Sequence, residues 1–324
     1  MNRRIFIKNS ALAGFSFALP DLSSELEAVF SKKITIGVIA DLHQDLMHDG
    51  AERLSSFLTE VKKQSPDAIL QLGDFAYPSD TNKALIDDFN NAHQHSLHVI
   101  GNHDTDSGFT KEQCLSVWGM PATYYTQDLK GIRLIVLDGN EKGSPSYTGG
   151  YVSFIGAEQI NWLQKQLEKS TLPVLICCHQ PLAGLFAVDN ATEIQSLLGQ
   201  YSDKILLCIN GHSHIDQHQV INDVNYLHIN SASYYWVGDD YKHTTFEASI
   251  IKEHPILDLT CPYEESLFAF LTIDPTSKTI TVKGRRSKWV GKSPKELGYK
   301  IDGETDLYDW VIPEIKNLKI SLSQ

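Results

Sequence analysis

Five short segments of the chain place acids, imidazoles and an amide in patterns that metal chemistry uses. They are Asp41-Leu42-His43, Gly73-Asp74, Gly101-Asn102-His103-Asp104, His179, and Gly211-His212-Ser213-His214. Carboxylate, carboxamide and imidazole donors without thiolate suit ions of the Mn, Fe, Zn or Ni kind. There are enough donors for two ions. Asp74 has two carboxylate oxygens, one for each, and can hold a pair at the roughly 3.5–4 Å of two-metal hydrolases. Alternate residues leaving a strand point to one side, so Asp41 with His43, and His212 with His214, are each expected to reach one ion. Gly73, Gly101 and Gly211 are expected to let the backbone turn and approach the ions where a Cβ would intrude.

Each segment follows a short apolar run: residues 34–40, 68–72, 97–100, 174–178 and 205–209, with a further run at 132–137. Such runs read as strands buried on both faces. Helical spacing lies between them, in Leu54, Phe57, Leu58 and Val61, in Leu85, Ile86 and Phe89, and in Ile160, Leu163 and Leu167. Strand alternating with helix predicts an α/β fold. The chemistry then sits at strand exits, the edge where open α/β sheets assemble their sites. Further strands are expected at 226–229, 267–273 and 279–283, the last two forming a hairpin through the turn Asp274-Pro275-Thr276-Ser277-Lys278.

The ordered set DxH, GD, GNHD, H and GHxH, running from Asp41 to His214, resembles that of the calcineurin-like metallophosphoesterases. The resemblance implies a sandwich of two mixed β-sheets flanked by helices. It implies one ion held by Asp41, His43, Asp74 and His214, and a second by Asp74, Asn102, His179 and His212. A water or hydroxide bridging the ions would attack phosphorus in line. His103 matches the family's non-ligand histidine, which donates a proton to the leaving oxygen or stabilises charge there. Asp104 would steady the loop or the ring of His103. Tyr77 is a departure. In the purple acid phosphatase branch a tyrosine three residues after the bridging aspartate binds ferric iron, and the first motif lacks its histidine. His43 is present here, so Tyr77 is expected beside His103 and not on a metal.

The resemblance makes the chain a metal-dependent phosphoesterase acting on a small phosphate ester. A phosphodiester or nucleotide-type substrate is preferred, from likeness to the small DxH-type phosphodiesterases and from aromatic residues in the exit loops. Those residues are Trp118, Tyr124 and Tyr125, then Tyr147 and Tyr151, then Tyr234, Tyr235 and Trp236. Packing between loops is the plainer role for the first two groups; for the third, packing and stacking on substrate stand level. The alternatives are a phosphomonoesterase, a nucleotide-conjugate pyrophosphatase, or a metal-free binding scaffold. Scaffold members tend to lose ligands, whereas every ligand position is filled here.

With 40 acids against 28 Lys and Arg the formal charge is −12, and no basic block is present. That composition excludes an extended nucleic-acid groove. It does not exclude small phosphates, because bound cations dominate the field of their own site. Five cysteines without a CxxC spacing argue against a disulfide framework or a zinc knuckle. Histidines outside the five segments, His98 and His228 among them, are expected to be surface or core residues.

The chain divides into residues 1–30, 31–284 and 285–324. The first begins Asn2-Arg3-Arg4-Ile5-Phe6-Ile7-Lys8 and continues in a short apolar run that ends at Pro20. It resembles a twin-arginine signal, which implies export to a bacterial periplasm, and the run is too short to span a bilayer. Residues 31–284 would form the metallophosphoesterase domain. Residues 285–324, with Trp289, Tyr299, Trp310, Val311 and Ile312, are too apolar for a free tail and are expected to pack on that domain.

Overall fold

The computed structural model describes residues 32–300 and 307–322; the expected signal, residues 1–30, lies outside them. The path begins with β1 (Ile34–Ile39), α1 (Gly50–Gln64), β2 (Ala68–Gln71), α2 (Lys83–Ala92) and β3 (Ser96–His98). It continues through α3 (Lys111–Trp118), β4 (Tyr125–Leu129), β5 (Ile132–Val136), α4 (Ala157–Lys169), β6 (Val174–Cys177), α5 (Ala191–Gly199) and β7 (Ile205–Asn210). The rest comprises β8 (Gln217–Ile221), β9 (Val224–His228), β10 (Tyr234–Trp236), α6 (Ala248–Glu253), β11 (Thr260–Pro262), β12 (Ala269–Asp274), β13 (Thr279–Lys283) and β14 (Leu318–Ser321).

The strands form two six-stranded sheets, ordered β14-β13-β12-β1-β2-β3 and β4-β5-β6-β7-β9-β8, and a two-stranded ribbon β10-β11. In the first sheet β1, β2 and β3 run parallel, while β12 and β13 are the antiparallel hairpin. In the second, β5, β6, β7 and β9 are parallel. This is the two-sheet α/β sandwich expected from the motifs. Parallel strands covered on both faces need near-continuous apolar side chains, and β2, β6 and β7 are buried along their whole lengths.

One apolar core joins Ile36, Val38 and Leu70 of the first sheet to Val136, Cys177 and Leu207 of the second, and takes in Leu54 and Phe57 of α1. A second core packs Leu163 and Leu167 of α4 and Ile194 and Leu198 of α5 against Ile135, Ile176 and Cys208. Helix α3 lacks a clear apolar stripe and was not expected from periodicity. Its ends define it instead, through a Thr110–Gln113 capping box and a left-handed Gly119 stop. The segment after 284 adds β14 to the edge of the first sheet, sets Trp289 against Tyr263 and stacks Tyr299 edge-on to Tyr235. All five cysteines are buried and free, and among the described residues no helix is long and apolar enough to cross a membrane.

Candidate metal centre

The parallel strands β1, β2, β3, β6 and β7 end on one edge, and the five segments leave from there. Asp41, His43, Asp74, His212 and His214 all have left-handed backbone, with φ of 52°, 50°, 51°, 65° and 51°. That conformation is uncommon for residues with a Cβ and clusters at functional sites. It corrects the expectation of strand alternation: the side chains of Asp41 and His43 converge because each sits on a tight left-handed turn. Backbone hydrogen bonds fix these turns, with Asp41 N–H donating to Gly73 O at 3.1 Å and His43 N–H to Asp74 O at 2.9 Å. The glycines are needed for space. A Cβ on Gly101 would lie 2.1 Å from Asp74 Oδ1, and one on Gly211 2.5 Å from Asp41 Oδ2.

Asp41, His43 and His214 form one cluster of donor atoms, and Asp74, His179 and His212 form another. In the first, His43 Nε2 lies 3.2 Å from His214 Nε2, and His214 Nε2 lies 3.3 Å from Asp41 Oδ1. In the second, His179 Nε2 is 3.1 Å from Asp74 Oδ2, 3.1 Å from Asn102 Oδ1 and 3.2 Å from His212 Nδ1. Asp74 Oδ2 also lies 3.8 Å from His43 Nε2, which ties the clusters together. His179 Nδ1 donates to Leu72 O at 2.8 Å, leaving its Nε2 lone pair directed inward.

The donor set fits cations. Asp41 and Asp74 are buried, and their only ion-pair partners among the described residues are histidines. A buried carboxylate is costly without a compensating positive charge. His214 Nδ1 is buried with no hydrogen-bond partner. Burial holds His43 well below the usual imidazole range, against the pull of Asp74. Burial, with His179 adding to it, lowers His212 to about 3. For His179 burial acts the same way, but the Asp74 carboxylate wins and raises it to about 9. A negative centre ringed by imidazole lone pairs is what divalent ions require.

His103 stands at the rim, with its ring centroid 5.2 Å from that of His43. Its Nδ1 lies 2.8 Å from Asp106 Oδ2 and 3.1 Å from the Tyr151 hydroxyl, which itself donates to Asp106 Oδ2 at 2.7 Å. Burial works against protonating His103, but Asp74 and the Asp106 hydrogen bond outweigh it and raise the pKa. Asp104 steadies the loop and leaves the ring alone. Its carboxylate accepts the amides of Gly101 (2.7 Å), Asp74 (2.9 Å), Phe75 (2.7 Å) and Ala76 (3.3 Å). Burial and the charge of Asp74 push its carboxyl up to about 7.

Tyr77 lines a small pocket together with His43, Asp74 and His103. No hydrogen bond joins it to His103; its ring packs on Phe109 at 5.7 Å and its amide donates to Asp45 Oδ2 at 2.7 Å. The groups that bond the His103 ring are Asp106 and Tyr151. Asp106, three residues beyond His103, was the one part of this arrangement with a local signal. Tyr151 comes from a loop 48 residues away and had none.

A cavity of about 330 Å³ opens over these residues. The third aromatic group divides in its wall. Tyr234 stacks on His43 at 4.9 Å and Tyr235 is buried, whereas Trp236 is 42% exposed. Phe186, which no pattern singled out, also lines the cavity and is half-exposed. Trp118 is buried against His98, and Tyr124 packs half-buried on Trp162.

This sandwich, with two clusters of metal-type ligands at its strand exits, is the architecture of a dimetal phosphoesterase. Residues 34–216 match the calcineurin-like phosphoesterase model, more than half of the 324 residues. The chain belongs to the calcineurin-like phosphoesterase family, whose members are metal-dependent phosphoesterases with dinuclear centres. Among solved structures it is similar to a dimetal phosphatase from Danio rerio, with TM-score 0.57 and 15% identity over 90% of this chain and 99% of that one. It is also similar to GAP50, the anchor in the inner membrane complex of Plasmodium, with TM-score 0.56 and 14% identity over 90% of each chain. At such identities the likeness concerns the fold. No curated protein sequence matches the chain.

Proposed function

We propose that this protein hydrolyses a phosphodiester with two cations, one held by Asp41, His43, Asp74 and His214, the other by Asp74, Asn102, His179 and His212. Cations bound there would lower the pKa of a bound water and draw charge from the phosphoryl oxygens. The side chains do the rest. Asp74 is oriented for both clusters, because its Oδ1 accepts the His103 amide at 2.8 Å while Oδ2 faces the imidazoles. Asp106 engages His103 Nδ1, which leaves Nε2 to give a proton to the leaving oxygen. As the water oxygen bonds to phosphorus, the opposite P–O bond breaks and its oxygen takes that proton. The observation that carries this reading is the convergence of two buried carboxylates and four imidazoles, with no Lys or Arg lining their cavity among the described residues.

The same wall favours a diester over a monoester. No Lys or Arg lines the cavity among the described residues, so besides the cations only His103 would meet the second negative charge of a monoester. Hydrolysis of bis-p-nitrophenyl phosphate against p-nitrophenyl phosphate, across Mn, Fe, Zn and Ni at equal concentration, tests both parts. Faster turnover of the diester is expected; no turnover with any metal rejects the proposal. The Asn2–Lys8 pattern supports export to a periplasm, and cell fractionation with an Arg3→Lys, Arg4→Lys variant retained in the cytoplasm would test it.

A further inference from the structure

Large apolar side chains exposed to solvent are few in this protein, and they are not scattered. Among the described residues they are Tyr147, Tyr151, Phe186, Val220 and Trp236. Tyr151, Phe186 and Trp236 line the same cavity above the metal residues. Exposed aromatic surface gathered in a concave site marks ligand contact more than chance exposure does. From this we infer that Phe186 and Trp236 form a subsite for a flat, uncharged ring, so that the substrate is a nucleotide-type phosphodiester whose base is held by stacking. The inference takes its reaction from the hydrolytic reading above, but the ring subsite stands or falls on binding.

Both side chains are held in place. Trp236 sits on β10, paired with Thr260 of β11, two residues beyond the Tyr234 that stacks on His43. Phe186 stands edge-on to His212 at 6.4 Å, on a backbone with φ of 58°. A bulky residue in that left-handed region is strained, and its ring stands half-exposed at the cavity. Phosphate on the cations and a ring on Phe186 and Trp236 would therefore occupy one cavity.

The chemistry of the wall also sets how the ring is read. The Tyr151 hydroxyl is engaged with Asp106 and His103, that of Ser213 with His228 at 2.7 Å, and that of Tyr235 with Tyr299. Recognition then rests mainly on stacking area, since these three hydroxyls are already engaged. Every base has a π-face, so such a site accepts all bases and favours purines for their larger rings.

Two measurements on the full chain test this. The first uses metal-stripped protein and ligand-observed NMR, which reads saturation transfer to adenosine and to cytidine. Saturable transfer is expected, stronger for adenosine, and is lost in the Phe186→Ala, Trp236→Ala double variant. The second uses metal-loaded protein and two diesters with one leaving group, the thymidine and the methyl p-nitrophenyl phosphates. The wild-type kcat/KM ratio should favour thymidine by roughly 10-fold to 100-fold, the scale of base–aromatic stacking, and fall toward unity in the double variant. Equal kcat/KM for the two diesters, with no adenosine transfer, overturns the subsite and leaves hydrolysis intact. Adenosine transfer that needs both rings, with neither diester hydrolysed, keeps the subsite and rejects the hydrolytic reading.

Discussion

The Nε2 atoms of His43 and His214 face one another across 3.2 Å, although 171 residues separate them in the chain. Burial and the neighbouring imidazoles discourage a proton on His43, so a cation is the group that best relieves the contact. Metal added to stripped wild-type protein should raise its melting temperature, with about 2.7 kcal/mol of stabilisation at a hundred times Kd. His214→Ala should bind about one ion fewer per chain by elemental analysis. An unchanged melting temperature in wild type would refute the metal assignment.

His103 lies outside both donor clusters, so its role should separate from metal binding. His103→Ala is expected to keep its metal content while kcat falls roughly 10²–10⁴-fold. Asp106→Asn should lose less, and its loss should grow as the leaving group becomes more basic, since a poor leaving group needs the proton more. Equal losses for p-nitrophenyl and alkyl leaving groups would remove His103 from the proton-donor role.

Asp104 gathers four backbone amides from the two loops that carry Asp74 and Asn102. In Asp104→Asn a carboxamide NH₂ would oppose some of those N–H groups. A loss of roughly 2–4 kcal/mol is expected from the unsatisfied donors, read by urea denaturation, together with weaker metal binding. Wild-type stability in that variant would show that the loops hold their turns without it.

Gly101 and Gly119 distinguish close approach from conformational freedom. A Cβ at Gly101 meets both Asp74 Oδ1 and Asp74 N, at 2.1 and 2.2 Å, whereas one at Gly119 meets nothing within 4 Å. Gly101→Ala should abolish activity and metal binding. Gly119→Ala, with φ of 70° at a helix stop, should cost about 1 kcal/mol in stability and leave activity intact. Comparable activity in the two variants would contradict the steric account.

His98 is a core histidine with a calculable effect on acid stability. It stacks on Trp118, bonds Gln71 and Asn90, and burial lowers its pKa to about 3. Unfolding lets it take a proton near 6.5, so its contribution is fully present above that pH and drains away as pH falls toward 3. Between pH 7.5 and 5 the loss should be about 2 kcal/mol. In stripped protein, His98→Gln should be less stable at pH 7.5 yet show a flatter decline on acidification; a decline parallel to wild type would assign the acid sensitivity elsewhere.

The fold was legible because its strands are nearly pure apolar runs, and because the motif order carries its own spacing. Ligand types were legible for the same reason, since each follows a strand within a few residues. The route by which Asp41 and His43 converge was not, because a left-handed turn at an aspartate or histidine leaves no mark in residue type. Tyr151 and Phe186 were weighed low or missed because long loops bring them in from afar.

On its own, then, the amino-acid order determined the α/β class, the donor chemistry and the strand exits that carry it. Those properties are local: they follow from hydropathy and from residue type a few positions away. The tertiary structure alone decided the left-handed turns that bring Asp41 and His43 together, that Asp106 and Tyr151 flank His103, and that aromatic rings ring the cavity mouth. Such pairings join residues far apart in the chain, and only the face-to-face packing of the two sheets sets their distances.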